Sequence, residues 1–532
     1  LAIFDQVKIF VNFTHFEKFA MRKLCLGLIF SLLLVPLQLY AQTYTLVAYN
    51  VENLFDADGV AVFNDYNTTD SNGNPLYTKE DVYTKIEHIT QVLKQYDNGK
   101  GPDVILFQEL ESDFTPEDST RSLTAETFLK IWSHTTLKQM LGNGFNERIK
   151  DLPSELLLLK GMYDAGLRGY DFQVGYNELI DKGEPDEVQK CAVFTRLPIE
   201  KEKTKVYPIP RGRPILEVWL NVKGNNLVVF DNHWKAGASN RELEDVRLKE
   251  ARILRNRLNT LLSENPSADV ILGGDFNSQY NQKWALKVDS SGVNTVLQTT
   301  GNEEKVAAGP TQSFYNLWYE LPINKRGSDV YRGRWGTLMQ IMISHGMYDE
   351  SGIQYVDNSF SVGKFVGLNT YKYSETPHAW SSYGRGKGFS DHLPVSMQFR
   401  VTSQNNPASV MTLQNPSRSD DHSGHMAEVS FNPPDSNQVF RLDAIDPDSL
   451  SEYRYYDELF YINRKISADG TIKVGTENQK IYSGDPQVRD ILKEAAQKGL
   501  KLRFFARLRE YRNALEWVIE SPEYLLNKPN KL

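Results

Sequence analysis

Four short stretches each place a carboxylate or an amide at the end of a strongly apolar run: Tyr49-Asn50-Val51-Glu52, Phe107-Gln108-Glu109, Gly274-Asp275-Phe276-Asn277 and Ser390-Asp391-His392. Two of the runs, Asp103 to Glu109 and Asp269 to Asp275, are as apolar as a strand buried on both faces. A sheet that delivers polar groups at the ends of buried strands can build a hydrolytic site there.

The residue types narrow the chemistry. Hydrolysis of a phosphate ester needs a cation to neutralise charge, a base to activate water, and donors to hold the phosphoryl oxygens. Asn50, Glu109, Asp275, Asn277, Asp391 and His392 supply those types. Carboxylate and amide oxygens suit a hard divalent cation, Mg2+ or Mn2+, whereas zinc would recruit more His or Cys than the two motif histidines, His233 and His392.

Eight of the nine histidines follow residue 20, and His392 is the one flanked by a carboxylate at a strand start. Alone, Ser390-Asp391-His392 is better explained by a loop histidine capping a strand. Beside the other three motifs, a neutral imidazole near pH 7 there makes a fit general base. Asp391 is either a metal ligand or a carboxylate just behind one. Phe230 to Lys235 ends another strand in Asn232, His233 and Lys235, groups able to donate to a phosphate, although a turn with Asn capping accounts equally for Asn232 and Lys235. Arg213, in Arg211-Gly212-Arg213-Pro214, offers a guanidinium fork to a phosphate, while Arg211 reads as a surface charge. Tyr176 is better explained as core.

Stepping outward, the elements that must position these groups alternate strand-like and helical patterns from Tyr44 to about Val401. Strands are expected at 43–49, 191–195, 215–222, 226–231, 339–344 and 394–401, with the second pair joined by the hairpin-like Lys223-Gly224-Asn225. Helices are expected over 84–96 and 241–262, the latter with Leu243, Val246, Ala251, Leu254, Leu258 and Leu261 on one side. Residues 57–78 form a long surface loop, and residues 112–169 read as a mostly helical insertion near the site.

At 532 residues, 40% apolar and 24% charged, the chain has the composition of a globular protein with more than one domain. Met21-Arg22-Lys23, an apolar run from Leu24 to Leu39 and Tyr40-Ala41 read as a secretory signal peptide over 21–41, cleaved near Ala41. The run contains Pro36 and is short for a bilayer span, so no stable membrane anchor is expected and the destination is secreted or periplasmic. Residues 1–20 read as an upstream extension of the reading frame. Removing 1–41 deletes four basic and two acidic side chains from a net charge of −8, so the remainder is still more acidic. That excludes a protein that coats nucleic acid through a general positive field, but not one with a local basic rim built from Arg332, Arg334, Arg385 and Lys387. Only Cys191 remains, so no intramolecular disulfide supports the fold, and its strand-like setting marks an inert buried thiol. Residues 403–437, rich in Ser, Asn, Asp and Pro, read as a linker, and 438–532 as a small α+β accessory module.

These motifs in this order resemble the endonuclease/exonuclease/phosphatase superfamily, the deoxyribonuclease-like metal-dependent phosphoesterases, over about Tyr44 to Arg400. The openings Asn50 to Asp56 and Asn232 to Ala236 are most similar to its secreted bacterial branch, often labelled endonuclease. The resemblance implies a four-layer α/β/β/α sandwich over 42–402, with the site at one rim. It implies that Asn50 and Glu109 hold the metal, that Asp275 orients or deprotonates the attacking water, that Asn277 holds a phosphate oxygen, and that His233 and His392 are paired catalytic histidines with Asp391 near the metal. Arg213 matches an arginine ahead of the first histidine motif. The implied activity is hydrolysis of nucleic-acid phosphodiesters, with a phosphatase, a sphingomyelinase-like phospholipid phosphodiesterase, or a catalytically weakened binding protein as the alternatives. One position departs from the family pattern: Met339-Gln340-Ile-Met-Ile-Ser344 has Met339 where an Asp that orients a catalytic histidine is usual, leaving Gln340 or Asp329 as substitutes.

Overall fold

A computed structural model describes residues 42–59, 77–112, 123–176, 180–181, 184–185, 189–380, 388–402, 409–418, 422–431, 433–453, 458–511 and 514–527. The expected leader (1–41), the centre of the loop at 60–76, and Arg385 and Lys387 lie outside them. No helix among the described residues is long and apolar enough to cross a membrane.

Two sheets stack face to face. The strands of the first are β1 (Thr43–Leu54), β2 (Val104–Glu111), β3 (Asp171–Val174) and β4 (Gln189–Thr195). Those of the second are β5 (Lys205–Ile209), β6 (Gly212–Val222), β7 (Asn225–His233), β8 (Val270–Asp275), β9 (Phe314–Asn316) and β10 (Met339–Ile343). The chain then returns to the first sheet with β11 (Ile353–Tyr355) and β12 (Val395–Val401). The orders are β11-β12-β1-β2-β4-β3 and β9-β10-β8-β7-β6-β5, with the two-residue strand Thr299–Thr300 beyond β9. In each sheet the strands at the centre, β1 with β2 and β7 with β8, run parallel. They therefore deliver Asn50, Glu109, His233 and Asp275 to the same rim.

Alternation along the strands sorts the core into layers. Leu46 and Ala48 of β1 and Leu106 of β2 face the second sheet, where they meet Val218, Val229 and Ile271. Val47 and Tyr49 face outward onto α1 (Lys79–Leu93) and α2 (Ser154–Asp164). On the far side, Phe230, Val270 and Leu272 carry α3 (Arg241–Glu264) through Ala251, Leu254 and Leu258. The result is the four-layer α/β/β/α sandwich that the motifs imply.

Two expectations need correction. The described part of 112–169 belongs to the outer helical layer: Gly161 of α2 lies so close to Ile86 of α1 that a Cβ there would meet its side chain at 2.1 Å. Nor is 403–437 a free tether where it is described. Met411 donates its N–H to Tyr348, Trp335 donates to Ala427, and Val429 donates to Gly333, because apolar residues at Met411, Leu413, Ala427 and Val429 let two short stretches lie along the sandwich.

The terminal module forms its own sheet around a separate apolar cluster. Its strands are β13 (Leu459–Lys465), β14 (Thr471–Val474), β15 (Glu477–Tyr482), β16 (Lys501–Tyr511) and β17 (Ala514–Val518). Helix α4 (Pro486–Lys498) is capped by Asp485 and ended by Gly499 in the left-handed region. Arg507 of β16 donates to the Tyr371 hydroxyl at 3.1 Å, joining the module to the segment that leads into Asp391 and His392.

Candidate active site

Glu109 reaches the rim because β2 is broken there. The pairings of β2 with β1 and with β4 both shift register around Gln108 to Leu110, and Glu109 has φ of 65°. A non-glycine residue in the left-handed region costs on the order of 1 kcal/mol or more, and such strain clusters where a side chain must be re-aimed. Glu52 (φ 53°) and Asn277 (φ 44°) show the same conformation beside the other motifs. Gly274 (φ 121°) lets β8 pass Asn232, whose carbonyl would lie 2.2 Å from a Cβ.

Asn50 is buried, and its amide nitrogen donates to Glu109 Oε1 at 2.9 Å and to Asp275 Oδ2 at 3.0 Å. Its oxygen accepts the Glu52 N–H, so Asn50 fastens the two carboxylates together from behind. His233 Nε2 lies 3.6 Å from Glu109 and 3.7 Å from Asp275 Oδ2, and His392 Nε2 lies 3.7 Å from the same oxygen. Asp275 thus stands between two imidazoles, with its other oxygen capped by the Asn277 N–H at 2.8 Å. Ligand atoms of Glu109, His233 and Asp275 all lie within 4.8 Å of one another, a spacing that one divalent cation can span.

The remaining expected residues fall into two groups. Asp391 and Asn277 line the cleft with Glu109, His233, Asp275 and His392. Asn232 is turned inward: both its amide hydrogens go to the carbonyls of Phe230 and Gly273, and its oxygen accepts from Trp234, so it supports the strand ends and has no donor left for a phosphate. Lys235 is outside the cleft lining, and its backbone is tied to Glu250 and Arg247. Arg213 is buried against His233, with Nε 3.1 Å from Nδ1 and Nη2 2.6 Å from Nε2. One guanidinium near both ring nitrogens must lie across the imidazole. Tyr176 hydrogen-bonds Glu155, which is paired with buried Lys190, and it does not line the cleft.

The two histidines are held in different charge states. Burial, then the charges of Arg213 and His392, keep His233 well below the ordinary imidazole range, so it is neutral. Burial would also lower His392, but Asp391, Asp275, Asp329 and Glu109 outweigh it and raise the group to about 9. Without a cation these carboxylates favour the protonated form of His392. Burial pushes Glu109 upward despite the amide of Asn50. Excess negative charge at the rim is what a bound cation would offset.

Sequence reasoning assigned no role to several neighbours. Ser390 donates to Asn50 C=O at 2.7 Å, and Glu52 Oε2 accepts the N–H of Trp380 and of Asp391, fixing the loop that carries Asp391 and His392. Lys85, a lysine on the buried face of α1, donates to Phe389 C=O at 2.9 Å, and burial lowers it to about 8. Its signal was a charge at a core position of an amphipathic helix. Met339 is fully buried in the core between the sheets, while Gln340 bonds Asn316 and Ser278. Asp329 is bridged to His392 through the backbone, and its charge adds to those of Asp391 and Asp275 on the ring.

The cleft holds about 540 Å3. One wall is Ala236 to Ser239; the other is the hairpin of Asp329–Tyr331 with Arg334–Gly336. Tyr331 is 57% exposed, the Arg332 guanidinium lies 5.1 Å from its ring, and Arg334 is exposed beside it.

Comparison with known proteins places these features. Residues 190–401 match the model of the Endonuclease/Exonuclease/phosphatase family. No curated protein matches the chain. Among solved structures, an endonuclease/exonuclease/phosphatase from Beutenbergia cavernae is 13% identical, covers 68% of this chain and 72% of its own, and has a TM-score of 0.38. Truncated Caenorhabditis elegans TDP2 is 12% identical over 67% of this chain and 97% of its own, with a TM-score of 0.36. A Bacteroides thetaiotaomicron family protein is 14% identical over 68% and 99%, with a TM-score of 0.33.

Proposed function

We propose that this chain, whose residues 190–401 match the model of the endonuclease/exonuclease/phosphatase family, is a secreted, divalent-metal-dependent phosphodiesterase acting on nucleic acid. The observation that carries this reading is the grouping of Glu109, Asp275 and His233 within one cation's reach, held by Asn50 and flanked by His392.

Glu109 and Asp275 are the oxygen donors that would hold Mg2+ or Mn2+, with Asp391 close by; when bound, such a cation supplies charge neutralisation at the phosphoryl oxygens. Asp275 Oδ2, 3.7 Å from both imidazoles, is placed to orient a water between them. Asp275 can accept that water's proton, neutral His233, whose Nδ1 accepts from Arg213, can donate its Nε2–H to a phosphoryl oxygen, and protonated His392 can donate a hydrogen bond to a phosphoryl oxygen or a proton to the leaving oxygen. Asp329 adds its charge to those of Asp391 and Asp275 in favouring that proton, from a different position than Met339. This favours an active enzyme over a weakened binding protein.

Tyr331, Arg332 and Arg334 favour nucleic acid over a lipid or a small ester. An exposed aromatic face with cations beside it stacks bases and pairs phosphates, whereas a lipid ester would need an apolar hairpin. The signal-like segment at 21–41 supports secretion or a periplasmic location.

The test is hydrolysis of single- and double-stranded DNA, RNA, a bis-phenyl phosphodiester and a phosphomonoester with Mg2+. Cleavage of the polymers and the diester is expected, with Glu109→Gln and His392→Ala each lowering it by about 100-fold or more while circular dichroism is unchanged. Wild-type-like rates in either variant, or no cleavage of any substrate, would sink the assignment.

A further inference from the structure

Helix α1 turns one face to the outer core with Val82, Ile86, Ile89 and Leu93, and Lys85 sits fully buried on that same face. Among the described residues no carboxylate forms an ion pair with it. Lysine is almost never fully buried unless paired, because stripping water from an ammonium costs more than one neutral hydrogen bond returns. An apolar side chain of the same length would pack among Val82, Ile86, Ile89, Trp380 and Phe389 without that cost. A buried group kept at the expense of stability is expected where function needs it.

What Lys85 touches is the turn that carries two site residues. Its Nζ donates to Phe389 C=O at 2.9 Å and stands 4.7 Å from the centre of the Trp380 ring. No other described group donates to that carbonyl. One helical turn further on, His88 meets Gly388 C=O through Nδ1 at 2.5 Å and stacks its ring on Phe389 at 4.5 Å. The same face of α1 therefore grips both residues that precede Ser390.

The grip continues directly into the site. After Phe389, Ser390 donates to Asn50 C=O, Asp391 gives its N–H to Glu52, His392 gives its N–H to Ser390 Oγ at 3.1 Å, and Leu393 donates to Ser328 C=O at 2.6 Å. Each of those bonds fixes the turn to a strand end or to the hairpin, and none fixes it to the outer helical layer. Only Lys85 and His88 do that, and a shift of the Phe389 carbonyl moves Asp391 and His392 with it.

We propose that Lys85 is a positioning residue, which holds the Phe389 carbonyl so that Asp391 and His392 stand over Glu109 and Asp275, a role that rests on the phosphodiesterase activity assigned above.

Lys85→Met keeps the length of the side chain and removes its charge and its donor. The variant should unfold at a temperature no lower than wild type, because an unpaired buried ammonium is exchanged for an apolar group. Its kcat for the bis-phenyl phosphodiester at saturating Mg2+ should nonetheless fall about 100-fold with KM within about twofold, the effect of displacing a reacting group by about 1 Å. Hydrogen exchange, which needs no catalysis, should quicken about tenfold or more at the amides of residues 389–393 and stay unchanged in β7 and β8. Val82→Ala, a cavity on the same helix face, is the structural control: it should lower Tm yet leave kcat and the exchange of 389–393 at wild-type values. Should Lys85→Met fail to fold, Lys85→Gln should show the same quickened exchange, and failure of both to fold would make the lysine structural and overturn the proposal. Wild-type exchange at 389–393 in a folded variant overturns it as well, as does a loss of kcat that only follows Tm or that disappears at saturating Mg2+. A wild-type protein that cleaves none of the substrates defeats the assigned activity by itself, and the exchange still decides whether Lys85 holds the turn.

Discussion

Asp275 carries the most geometry of any residue in the site. One of its oxygens touches the Asn50 amide and stands equally far from two imidazoles, and the other is pinned by the Asn277 N–H. The imidazoles differ because their surroundings differ: Arg213 lies across His233, whereas four carboxylates surround His392. The two imidazoles are thereby biased to different charge states, His233 neutral and His392 protonated. If Asp329 is one of the groups that hold the His392 proton, Asp329→Asn should move the His392 titration, read by imidazole NMR shifts, to lower pH while leaving His233 neutral throughout. An unchanged His392 titration would show that the carboxylate is only structural. Substituting Met339 by Asp should not reproduce the effect, since that side chain sits in the apolar core, and a buried carboxylate there lowers stability instead.

At the scale of the element, each catalytic strand ends in a departure from regular structure. β2 breaks register at Glu109, and β8 needs Gly274 at φ of 121° to pass Asn232. The irregularities are affordable because β1, β2, β7 and β8 are central strands, paired on both sides and buried on both faces. Gly274→Ala should therefore lower stability by about 2–3 kcal/mol in urea unfolding and displace Asp275, cutting activity beyond what the lost stability explains. A variant as stable and as active as wild type would mean that the strand can relax around a Cβ, against the 2.2 Å approach.

At the scale of the molecule, the terminal module touches the loop that carries the site. Its Arg507 lies 4.1 Å from the Tyr371 ring, Tyr371 packs on His378, and His378 packs towards Phe389, two residues before Asp391. Burial, then Arg507 and His88, lower His378 from 6.5 to about 3. The unfolded chain therefore binds a proton near pH 6.5 that the folded chain refuses, and the stability present above that pH is lost as pH falls towards 3. Between about pH 7.5 and pH 5 this amounts to about 2 kcal/mol. His378→Phe should lose about that much less over the same interval, and equal losses in both proteins would refute it. The net charge of −8 makes a second prediction. With cations confined to a rim such as Arg332 and Arg334, KM for DNA should rise about tenfold from about 50 to about 200 mM salt, as expected for roughly two phosphate contacts. KM for a small diester should barely move, and a salt-independent KM for DNA would argue against a polymeric substrate.

The amino-acid order by itself determined the strand ends that matter. Asn50, Glu109 and Asp275 could be located because each closes an apolar run, and His392 because it precedes one, runs whose period and length depend only on local sequence. The same logic located α3, β7 and the hairpin before it, but missed β14, β15 and β17, which are short strands set by their neighbours. Tertiary structure alone decided what those ends do to one another. It turned Asn232 into the sheet, laid Arg213 across His233, and brought Asp329 to His392 from a hairpin 63 positions earlier in the chain. It also set Lys85 against the Phe389 carbonyl, 304 positions away. Charge states and shared ligands are sums over groups near in space and far apart in sequence, so no local pattern encodes them.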